Sequence, residues 1–411
     1  MDFLSVIINR GYISITLCIK VNGLKGYYLE FENDNIYMIL HLINDEKIVN
    51  RTIESYEAVL NNENVFIVFC NKSSGNFVSK FVHSRNNVIF YDEKSDKIER
   101  DFSNFNKILI HLLDIRKINF IEKYIRHTPT IYWGIWGGDI YPILLIGRGY
   151  QLFSPENSYL KRNKIKRNLL LLLNYYKIKS RKIEKFIHEK VDYIGGDDGD
   201  ILLLKQYLGV SKKKFKSFAY PYDAILGEKL KQCRVNEQSK CILCGNSASY
   251  TNNQEYVLNF LKRMEVDSSY KIKMPLSYGG DKEYISSIIE KGRQYFGENY
   301  IPILDFLPLD QYNQLFIDAR ICIYGSWRQE AFGNIIIALY LGSKIYMSRN
   351  NPLTGSLREL GFSFFVIEEA TQESFFEPLS ELDKEKNREL IIDLYSLERR
   401  QKLIIQYFSD R

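Results

Sequence analysis

Short apolar runs alternate with helix-length amphipathic stretches from Ile36 onward, and this alternation limits the possible folds more than any other feature of the chain. Strands separated by helices pair in parallel, because each helix carries the chain back to the end of the sheet where the strand began. The chain has 411 residues, and since hydrophobic cores stop growing at about 250–300 residues, two domains are expected. The pattern therefore predicts an α/β protein with two successive doubly wound sheets.

Two series of predicted elements are separated by a linker, because Pro221 and Gly227 interrupt the pattern between residues 221 and 237. The first series has predicted strands at Tyr37–Leu42, Val65–Phe69, Lys107–Leu112, Thr130–Trp136, Val191–Ile194 and Ser217–Tyr220, with helices in the gaps. The second has predicted strands at Lys240–Cys244, Lys271–Leu276, Ile301–Phe306, Ile321–Tyr324, Lys344–Met347 and Phe364–Ile367. Its helices are predicted at Asn252–Met264, Lys282–Phe296, Asp310–Ala319, Gly333–Leu341 and Pro352–Leu360.

This order divides the chain into four parts. We predict an N-terminal extension at 1–37, a Rossmann-like domain at 38–235, a second Rossmann-like domain at 236–381 and a closing helix within 382–411. Open parallel sheets bind ligands at the carboxyl ends of their strands. Two such domains that face each other enclose a cleft, which is the predicted functional site.

The composition is that of a folded protein, with 45% hydrophobic and 26% charged residues. No apolar run reaches the roughly 18–20 residues of a transmembrane helix. The start of the chain is interrupted by Arg10 and resembles no secretory leader, so we expect a cytoplasmic protein with reduced cysteines. Cys241 and Cys244 form a CxxC pair that lacks further metal ligands. The net charge of +6 is too small for its length to predict binding to nucleic acid.

Positive charge is concentrated between Lys161 and Lys190, where eleven Lys or Arg accompany two acidic residues. The leucines at 169–173 lie among these cations, a combination typical of helices that lie on an anionic membrane surface. A solvated basic face is the alternative interpretation. The predicted membrane contacts are Lys161, Arg162, Lys164, Lys166 and Arg167.

A strand followed by small and hydroxylated residues, CILCGNSASYTNN, forms the first candidate ligand site. Small side chains between a strand and a helix N-terminus let backbone N–H groups approach a phosphate. The same residues also serve as turn and N-cap residues in many proteins. The candidate donor-binding residues here are Asn246, Ser247, Ser249 and Asn252.

The second candidate is ICIYGSWRQEAFGN, in which a polar loop joins a strand to a helix. A helix N-terminus beside an arginine suits a diphosphate, and Glu330 is placed to accept hydrogen bonds from sugar hydroxyls. A capped helix with a surface arginine is the alternative. The candidate residues are Arg328, Gln329, Glu330, Gly333 and Asn334.

Two acidic segments follow strands of the first series. In IYWGIWGGDIYP, the residues Trp136, Gly137 and Gly138 precede Asp139, which is placed either to act as a general base or to cap a helix. In IGGDDGD, three aspartates suggest Mg²⁺ or Mn²⁺ ligands. We interpret that second loop as the cap of a helix, and therefore predict neither a metal nor a cofactor.

These stretches, above all LPLDQYNQLFIDARICIYGSWRQEAFGNIIIALYLGSKIYMSRNNPL, resemble the 4-acetamido-4,6-dideoxygalactosyltransferase family. This family is also called TDP-N-acetylfucosamine:lipid II N-acetylfucosaminyltransferase. The resemblance runs from about Met38 to about Phe365, whereas residues 1–37 have no counterpart. It adds Asn350 to the residues of the shared pattern, and Ala248-Ser249 stands where the family usually has Gly-Asp.

The resemblance implies a GT-B fold with two Rossmann-like domains facing across a cleft. It also implies a dTDP-linked amino-deoxy sugar as donor and an undecaprenyl-diphosphate-linked saccharide as acceptor, in surface polysaccharide assembly at the inner face of the cell membrane. Trp136, Gly137, Gly138 and Asp139 would then lie on the acceptor side.

A mechanism follows as a hypothesis. Ser247, Ser249, Arg328 and the N-terminus of the helix at Gly333 would neutralise the leaving diphosphate without a metal. Asp139 would deprotonate the acceptor hydroxyl in an inverting reaction, or orient the acceptor in a retaining one. A nucleotide-sugar epimerase and a non-catalytic nucleotide-sugar-binding protein are the alternatives.

Overall fold

The computed structural model describes residues 4–9, 12–17, 38–46, 48–60, 63–70, 79, 81–145, 148–162, 174–221 and 225–409. Near the start of the chain, β1 (Leu4–Asn9) and β2 (Tyr12–Leu17) pair as an antiparallel hairpin. The remaining described strands form two larger sheets, and every strand pair within those two sheets is parallel.

The N-terminal sheet has the strand order β5-β4-β3-β6-β7-β8-β9. Its strands are β3 (Ile39–Asn44), β4 (Asn64–Phe69), β5 (Val88–Tyr91), β6 (Lys107–His111), β7 (Thr130–Gly134), β8 (Tyr193–Gly196) and β9 (Lys214–Ser217). The described helices of this half are α1 (Val49–Glu57), α2 (Ile115–Tyr124), α3 (Ser158–Arg162), α4 (Asn174–Lys190) and α5 (Asp198–Leu208). A single π-helical turn, Tyr141–Leu145, follows β7.

The C-terminal sheet has the order β12-β11-β10-β13-β14-β15. Its strands are β10 (Cys241–Cys244), β11 (Lys271–Pro275), β12 (Tyr300–Ile303), β13 (Ala319–Tyr324), β14 (Lys344–Met347) and β15 (Phe365–Val366). Its helices are α6 (Glu228–Lys231), α7 (Gln254–Arg263), α8 (Lys282–Phe296), α9 (Leu309–Asp318), α10 (Phe332–Leu341), α11 (Pro352–Glu359) and α12 (Gln372–Phe376).

Both sheets are covered on their two faces, which explains why their central strands are continuously apolar instead of alternating. All six residues of β4 and all four residues of β10 are buried. Separate apolar clusters lie on the two sides of each sheet. Polar side chains that are to meet a ligand must therefore lie at the strand ends.

The order in which strands are added reverses between β3 and β6 in the first sheet and between β10 and β13 in the second. The connections that follow these two strands lead to opposite faces of the sheet, so a crevice opens between them beyond the carboxyl ends of the strands. The loops that border these crevices begin at Asp45, Leu112, Gly245 and Gly325. Both candidate sites described below lie at these points.

The end of the chain differs from the prediction of one closing helix. It forms α13 (Glu381–Leu394) and α14 (Leu397–Phe408), because Ser396 accepts a hydrogen bond from the backbone N–H of Arg399 and starts a second helix. No described helix combines the length and the apolar character needed to cross a bilayer.

The two final helices pack on different sheets. α13 contacts α10, and Ile391 belongs to the C-terminal core. In α14, by contrast, Ile404, Tyr407 and Phe408 belong to the N-terminal core. The hydroxyl of Tyr407 donates to the carbonyl oxygen of Trp133 in β7 at 3.2 Å. The last helix therefore returns to the first domain.

Each predicted strand corresponds to an observed one, with bounds that differ by three residues or fewer. The sequence missed β5, a short edge strand in which only the two end residues are buried. The segment from Asp92 to Asn106 forms turns, although a helix was predicted in this gap. The division of the chain at residue 236 stays a prediction.

Replacing Ile404 by Ala is expected to lower the free energy of unfolding by about 2–5 kcal/mol, because this buried side chain fills the core between α14 and the N-terminal sheet. Its neighbour Ile405 is 55% exposed, so Ile405→Ala is the matched control and should change stability by about 0.5 kcal/mol or less. Urea unfolding measures both variants. Equal effects would show that α14 does not pack on the sheet.

Candidate active site

Side chains from two loops of the C-terminal sheet join in one hydrogen-bonded network at its crevice. The carboxylate of Glu330 accepts from Thr251 Oγ1 at 2.7 Å and from Arg328 Nε at 3.1 Å. Ser326 Oγ lies 3.3 Å from the same carboxylate oxygen, and Ser249 Oγ lies 2.8 Å from Thr251 Oγ1. The structure thus brings the predicted residues Ser249, Arg328 and Glu330 together, although about 80 residues separate the loops.

The guanidinium of Arg328 is held close to the domain interface. Burial opposes its charge, but Glu330 together with Tyr141 and Asp200 more than compensates, so the pKa of Arg328 is raised. The side chain retains 24% exposure. Arg328 is therefore a fixed positive charge with room for an anionic ligand.

The loop after β10 is held by its own side chains. Ser247 Oγ accepts from Asn252 Nδ2 at 3.1 Å and from the backbone N–H of Ser249 at 3.3 Å. Asn252 Oδ1 in turn accepts from the backbone N–H of Asn246 at 3.4 Å. Ser247 and Asn252 are buried, so they fix the turn and do not face the cleft.

Two helices begin at this crevice without a side-chain cap. The residues that precede α7 and α10 are Asn253 and Ala331, both with left-handed backbone angles and neither capping through its side chain. By contrast, Asp281, Asn351, Ser380 and Ser396 cap other helices. The first N–H groups of α10 are thus available to an anion.

Gly333 and Asn334 lie in the first turn of α10. A Cβ atom at Gly333 would come within 2.9 Å of the terminal methyl group of Ile225, so a larger residue here would require that side chain to shift. Asn334 Nδ2 donates to the hydroxyl of Tyr312 at 2.7 Å. This contact turns the amide toward a neighbouring cavity.

That cavity, of about 320 Å³, lies beyond the ends of β10, β11 and β12. Its rim carries exposed apolar side chains, with Tyr278 at 53%, Phe306 at 69% and Leu309 at 69% exposure. Asn246 and Asn334 line it with amide groups. Sequence reasoning missed the aromatic residues, because they follow strands whose loops carry no recognisable motif.

The two domains meet through the hydroxyl of Tyr141, which donates to Asp200 and accepts from the backbone N–H of Gln329 at 3.2 Å. Burial and the neighbouring Asp200 raise the pKa of Tyr141 well above its ordinary value. Tyr150 adds a second link by donating to the carbonyl of Trp327 at 2.5 Å. The loop that contains Arg328 is thereby fixed against the N-terminal domain.

Asp139 is completely buried and lies out of reach of the cleft. One carboxylate oxygen accepts from Trp133 Nε1 at 2.8 Å and from the N–H of Leu113 at 3.1 Å, and the other accepts from the N–H of Trp136 at 3.1 Å. Burial outweighs these bonds, so its pKa is raised. The geometry argues against the predicted role of Asp139 as a general base and supports a role in holding the loop after β7.

The predicted acceptor-side residues form that loop. Gly137 has a φ of 79°, a left-handed conformation that glycine adopts without strain. The side chain of Leu112 lies 3.4 Å from the Cβ position of Gly138. Trp136 is half-buried beside the end of β6.

The aspartate loop after β8 is structural. Asp197 accepts from the N–H of Gly199 at 2.9 Å and caps α5, and it also accepts from Ser356 Oγ of the other domain at 2.9 Å. Burial raises the pKa of Asp200 well above its ordinary value, whereas Asp198 lies on the first turn of α5. In the described part of the chain, no group of His, Cys, Asp and Glu side chains is arranged to hold a metal ion.

The remaining predicted residues are not part of the network. Asn350 follows β14 and is exposed, and its backbone N–H donates to Ser348 Oγ at 3.3 Å. Lys161 and Arg162 are exposed at the end of α3. The other predicted membrane contacts, Lys164, Lys166 and Arg167, lie outside the described residues.

A family model described as 4-alpha-L-fucosyltransferase glycosyl transferase group 56 matches residues 174–392, more than half of the chain. The match begins with α4, ends within α13 and includes both loops of the network. It confirms the resemblance that the motifs indicated.

Solved glycosyltransferases share the architecture. Sucrose-phosphate synthase from Thermosynechococcus elongatus has a TM-score of 0.60 at 11% identity, covering 90% of this chain and 98% of that one. HepE from Anabaena, solved with UDP and glucose, has a TM-score of 0.58 at 11% identity, covering 91% and 100%. An E. coli trehalose-6-phosphate protein bound to UDP-2-fluoro glucose has a TM-score of 0.57 at 8% identity, covering 90% and 98%. The expected GT-B fold is confirmed.

Replacing Asp139 by Asn is expected to lower the free energy of unfolding by about 1–3 kcal/mol, because the new amide NH₂ must face an N–H donor in a fully buried position. Asp192→Asn is the control, since Asp192 is exposed and accepts one described bond, from the N–H of Ile131. Urea unfolding compares the two. Unchanged stability combined with lost turnover would return Asp139 to the role of base.

Proposed function

Because the chain belongs to the 4-alpha-L-fucosyltransferase glycosyl transferase group 56 family, we propose that it transfers an amino-deoxy sugar from dTDP to an undecaprenyl-diphosphate-linked saccharide. The chain is a glycosyltransferase of the GT-B fold. The observation that carries the proposal for the donor is the network of Ser249, Thr251, Arg328 and Glu330 beside an uncapped helix and an aromatic cavity.

The diphosphate is assigned to the space between Arg328 and the N-terminus of α10. Partial positive charge at the helix end and the full charge of the guanidinium favour the same anion. As the bond from sugar to phosphate breaks, negative charge grows on the leaving group, and fixed donors at this position stabilise the transition state. Glu330 holds Arg328 in place and leaves the other guanidinium nitrogens to the phosphate.

The nucleobase is assigned to the 320 Å³ cavity. The Asn246 side-chain oxygen is buried there, and no described donor lies within hydrogen-bond distance of it. Thymine and uracil each carry one ring N–H that would complete this acceptor, while Tyr278 and Phe306 supply apolar contact. UDP in the solved HepE complex has the same type of base edge, which supports a pyrimidine donor.

The acceptor is assigned to the facing edge of the N-terminal domain, where the loop after β7 carries Trp136, Gly137 and Gly138. The interdomain bonds of Tyr141 and Tyr150 keep this loop close to Arg328. A lipid-linked acceptor lies at a membrane surface, so the exposed cations Lys161 and Arg162 would face that surface, with the protein peripheral on the inner face of the cell membrane.

Arg328→Ala is expected to weaken donor binding by about tenfold to a hundredfold, because a charge-assisted contact to a diphosphate contributes about 1.5–3 kcal/mol. The control is Arg358→Ala, since Arg358 is 53% exposed and pairs with Glu369 in the same domain. Thermal shift with dTDP-, UDP- and GDP-sugars measures binding, because a ligand that binds only the folded state stabilises it by RT ln(1 + [L]/Kd).

Stabilisation by dTDP-sugars above the others supports the proposed donor. Stabilisation by GDP-sugars alone contradicts it, and equal binding by both arginine variants removes Arg328 from the site. Transfer to a polyprenyl-diphosphate-linked saccharide, followed by chromatography of the product, tests the acceptor.

Replacing Lys161 and Arg162 by Gln is expected to weaken co-sedimentation with acidic phospholipid vesicles about thirtyfold, because each cation near an anionic surface contributes about 1 kcal/mol. Changing Lys164, Lys166 and Arg167 as well should weaken it further. Lys229 and Lys402, which are 81% and 67% exposed, provide a control pair with the same loss of charge. Salt should reduce binding of the native protein, and equal loss in both pairs would contradict a specific basic surface.

A further inference from the structure

A pair of buried histidines lies at the reversal point of the N-terminal sheet. His41 is in β3 and His111 ends β6, and both side chains are at most 1% exposed. His41 Nδ1 lies 3.1 Å from His111 Nε2. Nothing in the donor site described above uses these groups, although His111 ends β6 at the crevice position where open sheets bind ligands.

The direction of each hydrogen bond in this pair follows from Asn64. The amide nitrogen of Asn64 donates to the carbonyl of Leu60 at 2.6 Å, so its oxygen faces His41 Nε2 at 2.9 Å and accepts from it. Burial lowers the pKa of His41 to about 3, so its ring is neutral and Nδ1 carries a lone pair. His111 Nε2 must then donate to that lone pair.

This order leaves His111 Nδ1 as an unprotonated acceptor. Burial, with smaller contributions from His41 and Lys117, lowers the pKa of His111 well below its ordinary value, so this ring is neutral too. Among the described residues, no hydrogen-bond partner lies near His111 Nδ1 or near Trp136 Nε1, although both atoms are buried. An acceptor and a donor thus remain unsatisfied on neighbouring rings, whose centroids are 6.3 Å apart.

The two rings line the same small cavity, together with Asn44 and Leu112 at the ends of β3 and β6. Its volume of about 10 Å³ is about the space of one water molecule or hydroxyl group. A hydroxyl group both donates and accepts hydrogen bonds, so a single hydroxyl could serve as the hydrogen-bond partner of both His111 Nδ1 and Trp136 Nε1. An apolar group or a charged phosphate would leave at least one of them without a partner.

We propose that this cavity is a hydroxyl subsite for a saccharide substrate, in which His111 Nδ1 accepts a hydrogen bond from the sugar hydroxyl and Trp136 Nε1 donates one to its oxygen. The inference rests on the proposed function, because a saccharide is taken as the ligand of the cleft. The hydroxyl belongs either to the saccharide that receives the sugar or to the transferred sugar itself. The low pKa of His111 makes it a hydrogen-bond acceptor that positions the sugar.

The first test is the tautomer of His111. The chain contains five histidines, so ¹⁵N-histidine labelling of the full chain gives a simple spectrum, and His111→Gln assigns the relevant signals. Both His41 and His111 are expected as neutral rings protonated at Nε2. A protonated Nδ1 on His111 would overturn the proposal, because the cavity would then contain two donors.

The second test separates the roles of the two rings by kinetics. His111→Gln retains a donor toward His41 and removes Nδ1, whereas Trp136→Phe removes the indole N–H together with the five-membered ring and retains a six-membered aromatic ring. Each is expected to raise the KM for the polyprenyl-diphosphate-linked saccharide about tenfold, because the loss of one partner leaves the hydroxyl incompletely bonded. His111→Asn, which retains an acceptor near the Nδ1 position, should recover part of that loss.

The matched control is Tyr56→Phe. The Tyr56 ring packs against both histidines and its hydroxyl is buried, but Tyr56 does not line the cavity, so the KM should not change. Weakened donor binding with an unchanged acceptor KM would assign the hydroxyl to the transferred sugar.

No change in either affinity for both cavity variants would show that the cavity holds only water, and would overturn the proposal. Failure of the proposed function is distinguishable, because dTDP-sugars would then not stabilise the native protein, or the native protein would not transfer sugar to the polyprenyl-diphosphate-linked saccharide. The ¹⁵N spectrum still decides in that case whether His111 Nδ1 is an acceptor.

Discussion

The burial of both faces of two parallel sheets is the constraint on which the rest of this structure depends. Helices cover β4 and β10 completely, so the sheets offer a ligand only their strand ends. The carboxyl ends face the cleft, and the order of strands opens a crevice at one point in each sheet. Arg328 and His111 each follow or end a strand at such a point. The two proposed subsites therefore have the same structural origin.

The cleft keeps its shape because side chains form hydrogen bonds between the two domains at several separate positions. Tyr141 bonds to the loop of Gln329, and Asn253 Oδ1 accepts from the N–H of Ser154 at 2.8 Å. Ser356 Oγ of the C-terminal domain donates a hydrogen bond to Asp197 of the N-terminal domain. In addition, α14 follows the C-terminal half and packs in the N-terminal core. These contacts fix the loop of Arg328 relative to the loop that carries Trp136. A transferase needs such a fixed arrangement, because donor and acceptor must meet in one geometry.

Some of the buried polar atoms without a described partner lie where the proposed ligands bind. Ala331 holds a left-handed backbone angle of 61°, which is unfavourable for a residue with a Cβ atom, and α10 begins without a cap. Asn246 presents a buried oxygen, and His111 presents a buried nitrogen, that no described residue completes. Buried polar atoms are normally paired in folded proteins. Their arrangement on opposite sides of one cleft is what a site with two substrates would show.

The sequence by itself determined the α/β class, the two series of elements, and the motifs that name the family, because hydrophobic period and turn chemistry are local properties of the chain. It also identified Ser249, Arg328 and Glu330 as candidates. Only the tertiary structure decided which candidates meet, since pairing across distant loops depends on strand order. In the folded chain Asp139 is buried away from the cleft and accepts hydrogen bonds from N–H donors. Folding also places His41 beside His111, 70 residues further along the chain. Burial and direction of hydrogen bonding arise from packing, which no single stretch of sequence contains.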